Sequence, residues 1–238
     1  MIAGIMQPYF FPYIGSFDHI SRCDAWVVLD LTQYTPQTWM NRNRMLHPRE
    51  SWFYITLPVK KTSEKQPIVD VHAQKPSDTC AHLLRQLVHY KKHAPYYRQV
   101  VEIVEQAFAQ ARSDSLTDIN VSGLSAVCAY LSISFTPVIA SETDFVLPEI
   151  THPGQWALEI ATLLGADVYL NPPSGRTLFR PEEFAARNIR LGFTRVPDFT
   201  YECGPYGYEP SLSILDALMW NDPQTVRSAL GRAPIDYI

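Results

Sequence analysis

Charge is sparse in this chain and has no dominant sign. Charged residues make up 18% of the 238, and 20 basic against 24 acidic groups leave a formal net charge of -4. Nucleic-acid backbones are normally held by a basic excess, so DNA is not expected as a partner. Long apolar runs are also missing. The longest, such as Phe135 to Ala140, fall far short of the roughly 20 residues that a membrane-spanning helix needs, so membrane insertion is not expected. The N-terminus lacks a basic, then apolar, then small-residue pattern, which points to a soluble cytoplasmic protein. The four cysteines, Cys23, Cys80, Cys128 and Cys203, form no CxxC pair, which argues against a zinc knuckle or a redox motif. Of these, Cys203 in the loop from Tyr201 to Tyr208 is expected to be the exposed thiol. His82, His89 and His93 lie at intervals of seven and four with no matching Cys or acid, so no metal site is expected. Repeats, low-complexity segments and a recognisable catalytic triad are absent.

What is present is a chain with 46% hydrophobic residues, enough for one sizeable core, read as a single domain over residues 1–238. Ile2 to Met6 predicts a strand that ends where Gln7-Pro8 cannot continue it. A short helix from about Gly15 carries Phe17 and Ile20, and Ala25 to Leu29 predicts a second strand. So short a connection between two apolar strands predicts a parallel βαβ unit. Residues 31–75 are expected to hold an inserted hairpin built from Trp52 to Val59 and Ile68 to His72. Residues 78–131 predict a helical insertion of three amphipathic helices, the first capped by Asp78 and the third by Ser115. Strands at Phe135 to Ala140, Val168 to Leu170 and Ile189 to Thr194 then alternate with helices at about Gly154 to Leu164 and Pro181 to Arg187. The expected fold is therefore α/β and Rossmann-like, a mainly parallel five-stranded sheet interrupted by a β-hairpin and a helical insertion.

In such a sheet, ligands bind outside the carboxyl ends of the strands. Those exits read Gln7-Pro8-Tyr9, Asp30, Ser141-Glu142, Asn171-Pro172-Pro173-Ser174-Gly175-Arg176 and Arg195, nearly all polar. A single polar exit is the ordinary behaviour of a solvated loop, whereas five that converge suggest a pocket for a polar small molecule. Gln7 to Phe17 is rich in aromatics between prolines, and its rings either wall a pocket or cover the sheet edge. Trp39-Met40-Asn41-Arg42-Asn43-Arg44 sets guanidinium and carboxamide groups beside an indole, a set suited to carboxylate, phosphate or sugar hydroxyls. His19 on the first helix is a candidate general acid or base, although a helix histidine is more often simply packed.

The run Met6-Gln7-Pro8-Tyr9-Phe10-Phe11-Pro12-Tyr13-Ile14-Gly15, with Asp24, Asp30 and Trp39 before Asn41-Arg42-Asn43, resembles the WbqC-like protein family. The likeness extends to Tyr90, Ala94-Pro95-Tyr96, Asn171-Pro172 with Gly175, and Leu212 to Met219. It departs from the family at Ser16, where an aromatic is usual, and at Thr35-Pro36-Gln37-Thr38, where a basic residue often precedes the Trp. The resemblance implies a cytoplasmic protein of O-antigen, other surface-polysaccharide or specialised-metabolite biosynthesis, with one suggested role in attaching an aminoacyl group to a sugar amine. A second resemblance, to nucleotidylyl-transferase Rossmann folds, rests on Gly15, His19 and the Asp24 to Asp30 strand, and would bring in ATP as cofactor. That fold's usual pair of histidines is not present.

The leading expectation is an acyl or aminoacyl transferase or amide-forming enzyme whose small-molecule substrate is a nucleotide-linked amino sugar or similar amine. In it, His19 and Asp30 are the catalytic candidates. Gln7, Tyr9, Trp39, Asn41, Arg42, Asn43, Ser141, Asn171, Gly175 and Arg176 are the substrate-binding candidates. The alternatives are an ATP-using adenylyl or nucleotidylyl transferase drawing on Lys60, Lys61 or Arg176, and a non-catalytic binding protein of a polysaccharide-assembly complex.

Overall fold

The computed structural model describes residues 1–238. Five strands run parallel: β1 (Ile2–Met6), β2 (Ala25–Val28), β5 (Pro137–Ile139), β6 (Val168–Asn171) and β7 (Arg190–Phe193). Their order across the sheet is β5-β2-β1-β6-β7, and a two-residue strand, β8 (Asp236–Tyr237), pairs antiparallel with β7 at the edge. The architecture is the expected α/β one. Beyond α7 (Ile214–Trp220), the helix α8 (Pro223–Ala229) and β8 were not foreseen, because seven and two residues leave little periodicity to read.

Both faces of the sheet are covered, so alternate residues of one strand enter different cores. From β2, Trp26 and Val28 join a large cluster built with α1 (Ile14–Ile20), the hairpin and the helical insertion. Val27 and Leu29 join a smaller cluster with Ala3 and Ile5 of β1, α5 (Gln155–Leu163) and α6 (Pro181–Ala186). This two-sided burial is why these strands read as nearly continuous apolar runs. Gly4 is required by the packing: a Cβ there would sit 2.7 Å from the Trp26 ring and 2.8 Å from the Cys23 sulfur.

The hairpin is antiparallel and lies outside the main sheet, but its first strand is β3 (Arg42–Leu46), paired with β4 (Trp52–Thr56). Ile68–Asp70 instead forms a single 3-10 turn, whose Ile68 side chain, with that of Val71 beyond it, is fully buried. The reason is local. Arg42 and Arg44 lie over aromatic rings on one side of β3 while Asn43 and Met45 are buried on the other, an alternation masked by the polarity of Asn43. The insertion consists of α2 (Pro76–Gln86), α3 (Tyr97–Ala109) and α4 (Leu116–Tyr130). Ser115 caps α4, its hydroxyl accepting from the Asp118 N–H at 3.0 Å. Asp78 does not cap α2; Pro76 starts that helix two residues earlier, leaving Asp78 inside its first turn.

Candidate binding crevice

The chain leaves β1 outward through β2 to β5, then returns to β6 on the other side of β1, so the strand order reverses between β1 and β6. Their pairing ends at Gly4 and Leu170, and beyond it Met6-Gln7 and Asn171-Pro172 diverge. A cavity of about 690 Å³ opens at this point, walled by both strand exits, by Leu29, Thr32 and Gln33 after β2, and by Thr151 to Ala157 at the start of α5. A smaller one of about 300 Å³ adjoins it and shares Met6, Tyr9, Pro172 and Ser174. The two are lobes of one crevice with Tyr9 between them.

The loop after β1 builds this divide. Phe10 and Phe11 are almost completely buried in the core against the helical insertion, while Tyr9 and Tyr13 face the lobes. Tyr9 and Tyr13 thus take the pocket-wall role expected of these aromatics, whereas Phe10 and Phe11 pack against the helical insertion instead of covering a sheet edge. Phe11 has a φ of 38°, a left-handed conformation costly for a bulky residue. It is held there by bonds to its carbonyl from Asn43 Nδ2 at 2.9 Å and Ser213 Oγ at 2.7 Å. Burial pushes the Tyr9 and Tyr13 phenols above their ordinary range, so both remain hydroxyl donors.

Of the expected site residues, Gln7, Tyr9, Asn171 and Gly175 line the larger lobe. Gln7 Nε2 donates to Thr32 Oγ1 at 2.9 Å, and Asn171 Nδ2 to the Tyr169 hydroxyl at 2.5 Å. Gly175 lets the loop close on Asn171, since a Cβ would lie 2.2 Å from its Oδ1. Trp39 and Asn43 line the smaller lobe.

The others lie elsewhere. Asp30 is completely buried and both carboxylate oxygens are taken by Ser141, from its N–H at 3.0 Å and its hydroxyl at 2.6 Å. The pair ties the end of β2 to the exit of β5; burial raises the Asp30 pKa against those two bonds. His19 is also fully buried, with Nε2 3.0 Å from the Leu170 carbonyl and Nδ1 unpartnered. It borders only a void of about 20 Å³ behind Gln7 and Tyr9, and burial lowers its pKa to about 4. Asn41 donates to the Leu57 carbonyl at 3.3 Å within the hairpin base. Arg42 stacks on Tyr54 at 4.1 Å and Arg176 on Phe193 at 5.0 Å, neither reaching the crevice. Lys60 is paired with Asp114 at 2.7 Å on the surface. Cys203 is buried rather than exposed, and its thiol is pushed up to about 12 by that burial. Its loop packs inward because the Tyr201 hydroxyl donates to buried Asp216 at 2.7 Å.

One residue not foreseen, His152, and one foreseen only as part of the Trp39 to Arg44 run, Arg44, also stand in the crevice. His152 lines the larger lobe and shares a 2.9 Å hydrogen bond with Glu183 of α6, whose other oxygen takes Arg180 at 3.1 Å. Nδ1 has no protein partner, and in the tautomer that donates from Nε2 to the carboxylate it carries the lone pair. The available signal was a lone histidine directly ahead of Pro153-Gly154 and the α5 start. Arg44, two residues along β3 from Arg42, lines the smaller lobe.

Crevice and topology define a Rossmann-like α/β protein with a two-lobed crevice at its switch point. The chain belongs to the WbqC-like protein family, whose sequence profile matches residues 7–228. It is 27% identical over 218 residues, 90% of this chain and 91% of the other, to a Mycobacterium tuberculosis protein described as uncharacterized protein Rv1507c. No solved structure matches the chain at a significant level. No helix is long and apolar enough to cross a membrane.

Proposed function

We propose that this protein is a transferase or amide-forming enzyme that joins an acyl or aminoacyl group to the amine of a small biosynthetic substrate such as an amino sugar. The observation that supports this most directly is His152, set in the cavity wall and oriented by Glu183. Amide formation needs little covalent help from the protein. The amine nitrogen attacks the acyl carbonyl, loses one proton to a base, and the leaving group departs with its electron pair. A histidine whose far nitrogen is fixed by a carboxylate suits that base, since the imidazolium formed on taking the proton would be stabilised by Glu183. His152 replaces His19 and Asp30 in this role, because it lines the larger lobe whereas those two are fully buried outside it. Gln7, Asn171 and Tyr9 would orient sugar hydroxyls.

The larger lobe is lined by neither lysine nor arginine, so it offers no counter-charge to a triphosphate. This favours transfer from an already activated acyl donor over adenylyl or nucleotidylyl chemistry in that lobe. The test is acylation of a panel of nucleotide-linked amino sugars by acyl and aminoacyl thioesters, read by mass spectrometry. His152→Gln is expected to keep the wild-type melting temperature and lose product by roughly 10²–10⁴-fold. Wild-type rates in that variant would refute the role of His152, and the absence of product from every donor would refute the activity.

A further inference from the structure

The smaller lobe is chemically unlike the larger one. Its single charge is Arg44, and no acidic residue lines it. The guanidinium carbon lies 5.2 Å from the Trp52 ring centre and 5.7 Å from that of Trp39. One N–H bonds the Ser211 carbonyl at 3.1 Å, while Nε is buried with no partner, and no carboxylate pairs with the side chain. A cation held between aromatic faces without a counter-charge is an incomplete arrangement, since a buried charged donor left unpaired is costly. Around it stand the hydroxyls of Tyr13, Ser16 and Ser174, none bonded to another protein group. Trp39 is 45% exposed.

We propose that this lobe binds the phosphate and base of a nucleoside monophosphate unit. Arg44 and the surrounding hydroxyls hold the phosphate, and the planar base stacks on Trp39. A tetrahedral group with several acceptor oxygens uses more of these donors than a carboxylate, and one arginine matches one phosphate better than two. Because the lobes meet at Tyr9, a ligand seated by its nucleotide in one would carry its remaining half toward His152 in the other. This last placement rests on the acyl-transfer reading; the nucleotide subsite does not.

Calorimetry with uridine and adenosine 5′-monophosphates measures the subsite without any turnover, so a failure to acylate leaves the result standing. The wild-type protein is expected to bind at least one of them. Arg44→Met, which keeps an apolar stem between the rings, should weaken that affinity by roughly tenfold to a hundredfold while leaving the weak binding of the uncharged nucleoside unchanged. Trp39→Ala, at an exposed position, should weaken nucleotide and nucleoside by similar factors. The proposal is overturned if neither mononucleotide binds, if Arg44→Met binds them as the wild type does, or if an aryl carboxylate such as benzoate is preferred to both.

Discussion

Replacing Asn43 by alanine should loosen the loop that divides the crevice, and the size of the effect can be worked out from its bonds. The buried carboxamide donates to the Phe10 carbonyl at 3.1 Å and the Phe11 carbonyl at 2.9 Å, and accepts from the Arg44 N–H at 2.8 Å. Alanine removes all three and leaves the backbone partners in a site that is 3% exposed. At about 1 kcal/mol net for each bond, the loss is about 3 kcal/mol. For a chain of this length that corresponds to a fall in melting temperature of roughly 6–12 °C. Neighbouring Asn41 is an internal control. It makes one long bond, 3.3 Å to Leu57, and its Oδ1 is buried without a partner, so Asn41→Ala removes an unsatisfied acceptor along with a weak donor and should cost about 1 kcal/mol or less. Urea denaturation of both variants, with unchanged m-values, measures the contrast. Equal losses, or a larger loss for Asn41→Ala, would show that the three bonds do not fix the loop.

Two further perturbations follow from the buried groups around the crevice. The His19 pKa is lowered to about 4 by burial, against an ordinary 6.5, so the folded state binds fewer protons than the unfolded one between those values. Its neutral form therefore supports the fold fully above pH 6.5, and this is lost as pH falls toward 4. His19→Gln should flatten the fall in stability across that window relative to wild type, by roughly 3 kcal/mol at most, and parallel curves from pH 7 to 4 would contradict it. Gly175→Ala would drive a Cβ into Asn171 Oδ1, displacing that side chain from the larger lobe. The expected cost is about 1–3 kcal/mol in urea together with weakened ligand binding, and a variant as stable and as tight as wild type would mean the loop moves aside freely.

The parallel strands were legible because burial on both faces leaves a plain apolar signature; Ile2–Met6 is the same segment in sequence and structure. β3 was not, because Arg42 and Arg44 keep their charges outside by lying along aromatic rings, and Asn43 is buried on bonds to a loop more than thirty residues earlier. Ile68 to Val71 misled in the opposite sense, being apolar enough for a strand but buried as a turn. The strand exits were a sound guide to the crevice for Gln7, Tyr9 and Asn171, which lie at the switch point itself. Asp30 and Ser141 follow strands farther out and satisfy one another instead. The only local mark of His152 is its place directly ahead of Pro153-Gly154; the fold brings that segment into the cavity wall beside the exits of β1 and β6.

The residues around Tyr9 also explain why the helical insertion belongs to the site without lining its larger lobe. Tyr9 can divide the crevice only if its backbone is fixed, and its neighbours achieve this by leaving the sheet. Phe10 and Phe11 are driven into the core under α3 and α4, where Phe10 meets Phe108 edge-on at 6.5 Å. Asn120 of α4 bonds the carbonyls of Pro8 at 2.9 Å and Met40 at 2.8 Å, tying the loop and the hairpin base to one helix. The same hairpin carries Arg44 and, through Asn43, the clamp on Phe11. Movement of the insertion would thus shift the partition and the cation together, so the separation between the Arg44 lobe and His152 is set largely by packing outside both lobes. A substitution at Asn120 should consequently alter nucleotide affinity and transfer rate together, although its side chain touches neither lobe.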